Sequence, residues 1–214
     1  MLEFKDVNLS VASKNIINDF SFTIECGQLM CLRGGHRSGK SLFLGAILGI
    51  WPIEKGFISF NGEPLTRLSV PYFRAMTAYM PQHFEMKDVK ISELFDFFEG
   101  MNAIDEKRLS KRKLFDYWDF FGLEHVLIDK NSSEIMPSQL QIILLTLACL
   151  PQKELLLIDD PTSNLSKENC HKVASLLRQK ASDGAMVIVA SNDEAIHEVA
   201  DEMIDMNNIK QQTL

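Results

Sequence analysis

A glycine, four variable residues and then Gly-Lys-Ser stand together at Gly34–Ser41, reading Gly-Gly-His-Arg-Ser-Gly-Lys-Ser. Each residue type in this spacing has a use in holding phosphate. Glycines let the backbone curl until successive N–H groups point inward at phosphate oxygens. The Lys40 ammonium can neutralise two phosphates at once, and the Ser41 hydroxyl can ligate Mg²⁺. A helix starting near Lys40 would add the positive end of its dipole. Such a site is completed by a carboxylate facing the metal, and Asp159-Asp160 follows the apolar run Leu155-Leu156-Leu157-Ile158. The plain readings of the same residues are a glycine-rich turn at Gly34–Ser41 and an Asx turn at Asp159-Asp160-Pro161.

The flanking sequence favours the chemical reading. Leu29-Met30-Cys31-Leu32 has the composition of a short buried strand, and Leu42 to Leu48 that of an apolar helix. Strand, glycine loop, helix is the setting that a phosphate loop requires. Leu155–Ile158 and Met186–Ala190 are continuous apolar runs, as expected of parallel strands buried on both faces. Three strands end in polar residues, at Met80-Pro81-Gln82, Ile158-Asp159-Asp160 and Ala190-Ser191-Asn192. In open α/β sheets, ligands collect at that carboxyl edge.

Around this core the patterns change. Leu2–Leu9, Phe20–Ile24 and Phe57–Phe60 alternate or end in turn signals, which predicts a small antiparallel sheet. Pro71 to Met80 holds a short helix and then a strand. Between about Asp88 and Asn131, apolar residues recur at helical spacing (Ile91, Leu94, Phe95, Phe98; Leu114, Tyr117, Trp118, Phe121), which predicts an all-helical insert with a core aromatic stripe. Its basic cluster, Lys107, Arg108, Lys111, Arg112 and Lys113, reads as a solvated helix face. Helices are expected at Pro137–Leu150, Ser166–Lys180 and Glu194–Ala200. The fold class is therefore α/β: a parallel central sheet with a phosphate loop, an N-terminal antiparallel β subdomain and a helical insert.

The chain has 214 residues, enough for one large domain with a subdomain, and its net charge of −7 argues against a nucleic-acid surface. No apolar run reaches the length of a membrane span, and the first residues do not read as a secretory signal. Cys26, Cys31, Cys149 and Cys170 show no metal-ligand spacing and are expected as free thiols.

Taken in order, these pieces resemble the ATP-binding cassette subunit of ABC transporters, over nearly the whole chain. Gly34–Ser41 corresponds to the Walker A loop, Gln82 to the Q-loop glutamine, and Leu155–Asp159 to the Walker B strand. Asp160-Pro161-Thr162-Ser163 stands where the family has Glu-Pro-Thr-Ser, and the helical insert falls between Gln82 and the signature region. The resemblance implies ATP and Mg²⁺ as cofactors. It implies nucleotide contacts from Gly34, Gly35, His36, Arg37, Ser38, Gly39, Lys40, Ser41, Leu42 and Gln82, and metal contacts from Ser41, Gln82 and Asp159. The implied domain plan is a core at 1–85 and 135–214 with a helical subdomain at 86–134. The implied partners are a transmembrane permease and a second cassette, in a homodimer or heterodimer, and no nucleic acid. The implied place is cytoplasmic, peripheral on the inner face of the cell membrane.

Several positions depart from the family pattern. The signature Leu-Ser-Gly-Gly-Gln is here Ile135-Met136-Pro137-Ser138-Gln139, in which only Gln139 is kept. Met136 offers no hydroxyl, and Pro137 offers no N–H. Asp160 stands for the catalytic glutamate, Asn192 for the switch histidine, Ser166 for the aspartate of the D-loop, and Val11 lies about where an aromatic residue stacks on adenine. A carboxylate about 1 Å short can cost on the order of a hundredfold in rate. The expectation is nucleotide binding with weak hydrolysis by the chain alone. The alternatives are a soluble or regulatory nucleotide-dependent clamp and, from another class, a nucleotide kinase or small GTPase, for which neither a basic lid nor an Asn-Lys-x-Asp motif is visible.

Overall fold

The computed structural model describes residues 1–11, 14–83, 88–101 and 109–209. Two sheets organise them. Strands β1 (Leu2–Val11), β2 (Lys14–Ile24), β4 (Lys55–Phe60) and β5 (Glu63–Pro64) form an antiparallel sheet in the order β2-β1-β4-β5. Strands β3 (Leu29–Arg33), β6 (Thr77–Met80), β7 (Leu155–Asp159), β8 (Met186–Ala190) and β9 (Glu202–Asp205) form a parallel sheet in the order β6-β7-β8-β3-β9.

The continuous apolar runs become the central strands β7 and β8, and their side chains divide between two cores by simple alternation. Leu155, Leu157, Met186 and Ile188 face one side, with Met30 and Leu32 of β3. Leu156, Ile158, Val187 and Val189 face the other, with Leu29 and Cys31. The first face is covered by the antiparallel sheet and by helix α1 (Lys40–Ile47). Phe43 of α1 is fully buried and stacks on Phe4 of β1 at 5.0 Å, with Phe20 of β2 edge-on at 5.6 Å. That aromatic contact anchors the helix on which the phosphate loop ends.

The second face is covered by α5 (Pro137–Cys149) and α6 (Lys167–Ser182), with the insert helices α3 (Ile91–Met101) and α4 (Lys111–Phe121) packed beyond them. The helical spacing read from sequence holds: Ile91, Leu94, Phe95, Leu114, Trp118 and Phe121 are all buried in this cluster. Trp118 Nε1 donates to Thr146 Oγ1 of α5 at 3.2 Å, a buried bond that fixes insert to core. Lys180 of α6, only 7% exposed, lies 5.2 Å from the Tyr117 ring centre. Of the basic cluster, Lys107 and Arg108 lie outside the described residues, and Lys111, Arg112 and Lys113 form the first turn of α4. Short helices α2 (Val70–Met76) and α7 (Glu194–Val199) occupy the expected places.

Strand β9 was not visible in the sequence reading. It is four residues of Glu-Met-Ile-Asp, with only Ile204 buried, and it exists because β3 offers it a parallel edge. All four cysteines are free thiols, with Cys26 exposed and the others buried. Burial raises the thiol of Cys149 to about 12 and that of Cys31 to about 11, so both are inert at neutral pH.

Candidate functional site

Four strand ends of the parallel sheet meet at one edge. There β3 delivers the Gly34–Ser41 loop, β6 delivers Gln82, β7 delivers Asp159 and Asp160, and β8 delivers Ser191 and Asn192. A cleft of about 470 Å³ opens among them, lined by His36 to Leu42 with Gln82, Asp159, Asp160, Ser191 and Asn192. Gly34 and Gly35 form the root of the loop rather than the wall of the cleft, and Val11 packs half-buried against the core beneath the antiparallel sheet.

The loop is built for close approach. Gly39 has φ 104°, and a Cβ there would meet Ile16 Cγ2 at 2.6 Å, so the site demands glycine twice over. Gly39 is also the N-cap of α1 and supplies no side-chain cap. The first intrahelical bond runs from Phe43 N–H to Gly39 O at 2.9 Å. The N–H groups of Lys40, Ser41 and Leu42 therefore stand outside the helical ladder, at a helix end that favours anions. Lys40 curls back over the loop, donating to Gly34 O at 2.7 Å and to Gly35 O at 3.3 Å. Asn192 grips the same residue from the other side. Its Oδ1 accepts the Gly34 N–H at 3.0 Å, and its Nδ2 donates to Gly34 O at 2.9 Å.

The carboxylates differ in kind. Asp159 is 2% exposed, and burial raises its pKa above the usual carboxylate range, opposed by a hydrogen bond from the Ser41 hydroxyl. The adjacent Asp160 raises it further, while Lys40 and His83 work against that. Asp160 sits in the left-handed region at φ 51°. Its N–H donates to Ala190 O at 2.8 Å, and its Oδ2 accepts from Gln82 Nε2 at 3.0 Å. Gln82 thus bridges β6 to the residue after the Asp159 strand.

The donor set fits a nucleotide's phosphates and a hard divalent cation. Ser41 and Asp159 put hydroxyl and carboxylate oxygens side by side, which suits Mg²⁺, and Gln82 offers a further carbonyl oxygen. The Gly39 cradle and Lys40 suit phosphate. The Ser38 hydroxyl is buried beside Gly34 without a hydrogen-bond partner, a polar atom held in the phosphate loop at a cost that ordinary packing would avoid. Ser191, which also lines the cleft, was not among the residues singled out from sequence.

The signature positions lie elsewhere. Ile135 is buried, Met136 is 59% exposed, and Pro137, Ser138 and Gln139 form the first turn of α5. None of them lines the cleft. The Gln139 side chain folds back, its Oε1 accepting the Met136 N–H at 3.3 Å. Gln141, two residues on, was missed. It is a polar residue on the buried face of an apolar helix, four positions before Leu145, and that was its signal.

Comparison with known proteins agrees with this arrangement. The family model described as ABC transporter matches residues 17–163. A hemin import ATP-binding protein, HmuV, from Shewanella denitrificans is 28% identical over 97% of this chain and 84% of its own length. The ABC transporter gloK of Glarea lozoyensis is 25% identical over 90% of this chain, which spans only 15% of that relative. The dimeric post-hydrolysis structure of the ATP-binding cassette MJ0796 bound to ADP and Pi shares the fold, with a TM-score of 0.81 and 17% identity over 96% of this chain and 94% of that one. No helix among the described residues is long and apolar enough to cross a membrane.

Proposed function

The chain belongs to the ABC transporter family, and on that premise we propose that it is the nucleotide-binding subunit of a transporter, taking Mg-ATP at Gly34–Ser41 and coupling it to a separate permease. The observation that carries the reading is the single cleft in which Lys40 and Ser41 of the loop meet Asp159 and Gln82. It unites the end of the phosphate loop with the end of β7, the arrangement that places a metal ion against bound phosphates. Bound Mg²⁺ would neutralise phosphate charge there. Lys40 and the N–H groups at the start of α1 hold the phosphates, Ser41 and Asp159 hold the cation, and Asp160 lies where an attacking water would be oriented.

Hydrolysis by the chain alone is expected to be weak. Asp160 is shorter than glutamate, Asn192 has its amide on Gly34, and the turn at Met136–Gln139 offers an opposing phosphate no hydroxyl at Met136 and no N–H at Pro137. This favours pairing with a second cassette whose own signature is intact, each cassette docked on the inner face of the membrane through the permease. The permease seat is the apolar groove of about 490 Å³ lined by Ile50, Tyr79, Pro81, Phe97 and Phe98. It begins at the residue before Gln82, so a segment lodged there would push on a residue of the cleft. The names of the relatives, transport ATP-binding proteins, favour this reading over a free-standing clamp.

Titration with a fluorescent ATP analogue, with and without Mg²⁺, tests the core of the proposal. Saturable binding strengthened by Mg²⁺ and weakened about a hundredfold by Lys40→Ala supports it. Failure to bind any nucleotide, or rapid turnover by the purified chain, overturns it.

A further inference from the structure

Gln141 makes three hydrogen bonds to a single five-residue stretch although it sits on a different element. From the second turn of α5, its Nε2 donates to Asp160 O at 2.9 Å and to Ser163 Oγ at 3.2 Å, and its Oε1 accepts the Asn164 N–H at 3.1 Å. The partners fix which end of the amide is which. The Asn164 N–H can only donate and the Asp160 carbonyl can only accept, so the flipped amide would set oxygen against oxygen. The side chain is 8% exposed, and every polar group it owns is used.

The residue it holds has an uncommon backbone. Asp160 lies in the left-handed region at φ 51°, which aspartate adopts more readily than most residues when its neighbours hold it there. Asp160 is held at three points: its N–H by Ala190 O of β8, its carboxylate by Gln82, and its carbonyl by Gln141 at 2.9 Å with a longer bond from the Ser163 hydroxyl at 3.4 Å. Of the side chains in this clamp, Gln141 alone also grips the residues that follow, at Ser163 and Asn164. It is therefore the link between the first turns of α5 and the loop from Asp160 to Leu165. A shift of the start of α5 by a fraction of an ångström would turn the Asp160 peptide and redirect its carboxylate.

We propose that Gln141 is a positioning residue, which holds Asp160 in its left-handed conformation and transmits the position of the α5 N-terminus to the carboxylate at the cleft. The proposal rests on the reading of Asp160 as the acidic group that orients water at this site. A purely structural role would satisfy buried backbone groups and nothing more. The two roles separate in the step at which damage appears, because Gln141 touches no residue that holds phosphate or metal.

The test compares Gln141→Met, which keeps length and volume without hydrogen bonds, with Gln141→Glu, which keeps an acceptor for Asn164 but opposes the Asp160 carbonyl. Both are measured alongside Asp160→Asn and the double variant Gln141→Met/Asp160→Asn. The full chain is used, with Mg-ATP affinity by titration and phosphate release in a single turnover at excess protein. The expected result for Gln141→Met is an affinity within about twofold of the parent and phosphate release slowed about tenfold, since small misplacements of a reacting group cost that much or more. Gln141→Glu should be slower still. The double variant should be no slower than Asp160→Asn alone, because the two residues act as a unit. Equal loss of affinity and rate, or additive losses in the double variant, overturns the proposal. If Asp160→Asn releases phosphate as fast as the parent, it is the reading of Asp160 that fails. Amide exchange at Asn164 then decides Gln141 independently: exchange about tenfold faster in Gln141→Met supports the clamp, and unchanged exchange removes it.

Discussion

Two helices of this protein begin next to sequence that the family uses to hold phosphate, and they begin in opposite ways. Helix α1 starts at a glycine with φ 104° and no side-chain cap, so its first-turn N–H groups face the cleft. Helix α5 starts at Pro137, which has no N–H, and the N–H of Met136 before it is already taken by the Gln139 side chain. The first N-terminus is left open, one residue after the unpartnered Ser38 hydroxyl. The second is partly closed, by Pro137 and by the Gln139 side chain on Met136, with the Ser138 and Gln139 N–H groups still outside the helical ladder. A helix end becomes an anion site when its donors are left unpaired and reachable, and the dipole alone does not suffice. The start of α5 thus offers fewer free donors than the start of α1, and the proposed function rests on that difference.

The largest effect should come from the open end. Lys40→Ala removes a charge-assisted donor set of the order of 1.5–3 kcal/mol and should weaken Mg-ATP binding about a hundredfold in a titration. An unchanged affinity would place the nucleotide elsewhere. Gly39→Ala should follow, because its Cβ would meet Ile16 at 2.6 Å. Strain at such a position costs of order 1–3 kcal/mol, readable as a lower melting temperature together with lost binding.

The closed end gives a gain-of-function test. Met136→Ser with Pro137→Gly would restore a hydroxyl and an N–H at the start of α5. Affinity of the single chain should not move, while ATP-dependent self-association should strengthen by about tenfold, from roughly 1.4 kcal/mol of new hydrogen bonding. If association is unchanged, the closed end does not limit pairing.

Asp159 provides a pH test of the open end. Its folded-state pKa is raised, chiefly by burial, so the folded chain keeps a proton that the unfolded chain has lost. Its contribution to stability is therefore full below the ordinary carboxylate range and is lost as pH rises through the raised folded value. Asp159→Asn should raise the metal-free melting temperature at neutral pH and remove the Mg²⁺-dependent increment of nucleotide affinity. A lower melting temperature would mean that the charge is better solvated than its burial suggests. The smallest effect should be that of Asn192→Ala, which removes two neutral bonds to Gly34, each worth about 1 kcal/mol, and should loosen binding several-fold.

Much of this was legible in the residue order. Buried parallel strands announce themselves as apolar runs, and the loop at Gly34–Ser41 is local, so its strand–loop–helix setting could be read directly. Three features could not. Strand β9 has no pattern of its own and is created by the edge of β3. The amide of Asn192 reaches Gly34 across 158 positions of sequence. The sequence reading set Asn192 in the place of the switch histidine, and its geometry makes it a brace of the loop. Gln141, two residues beyond Gln139, has only the signal of a polar residue on the buried face of α5, and its partners at Asp160–Asn164 are set by the fold.

The claim that one N-terminus is open and the other partly closed is tested most directly by sedimentation of the purified chain across a Mg-ATP titration. Saturation is expected at one nucleotide per chain with the protein remaining monomeric, and dimer should appear only when a cassette with an intact signature is added. A stable dimer of this chain alone, formed on ATP binding, would contradict it.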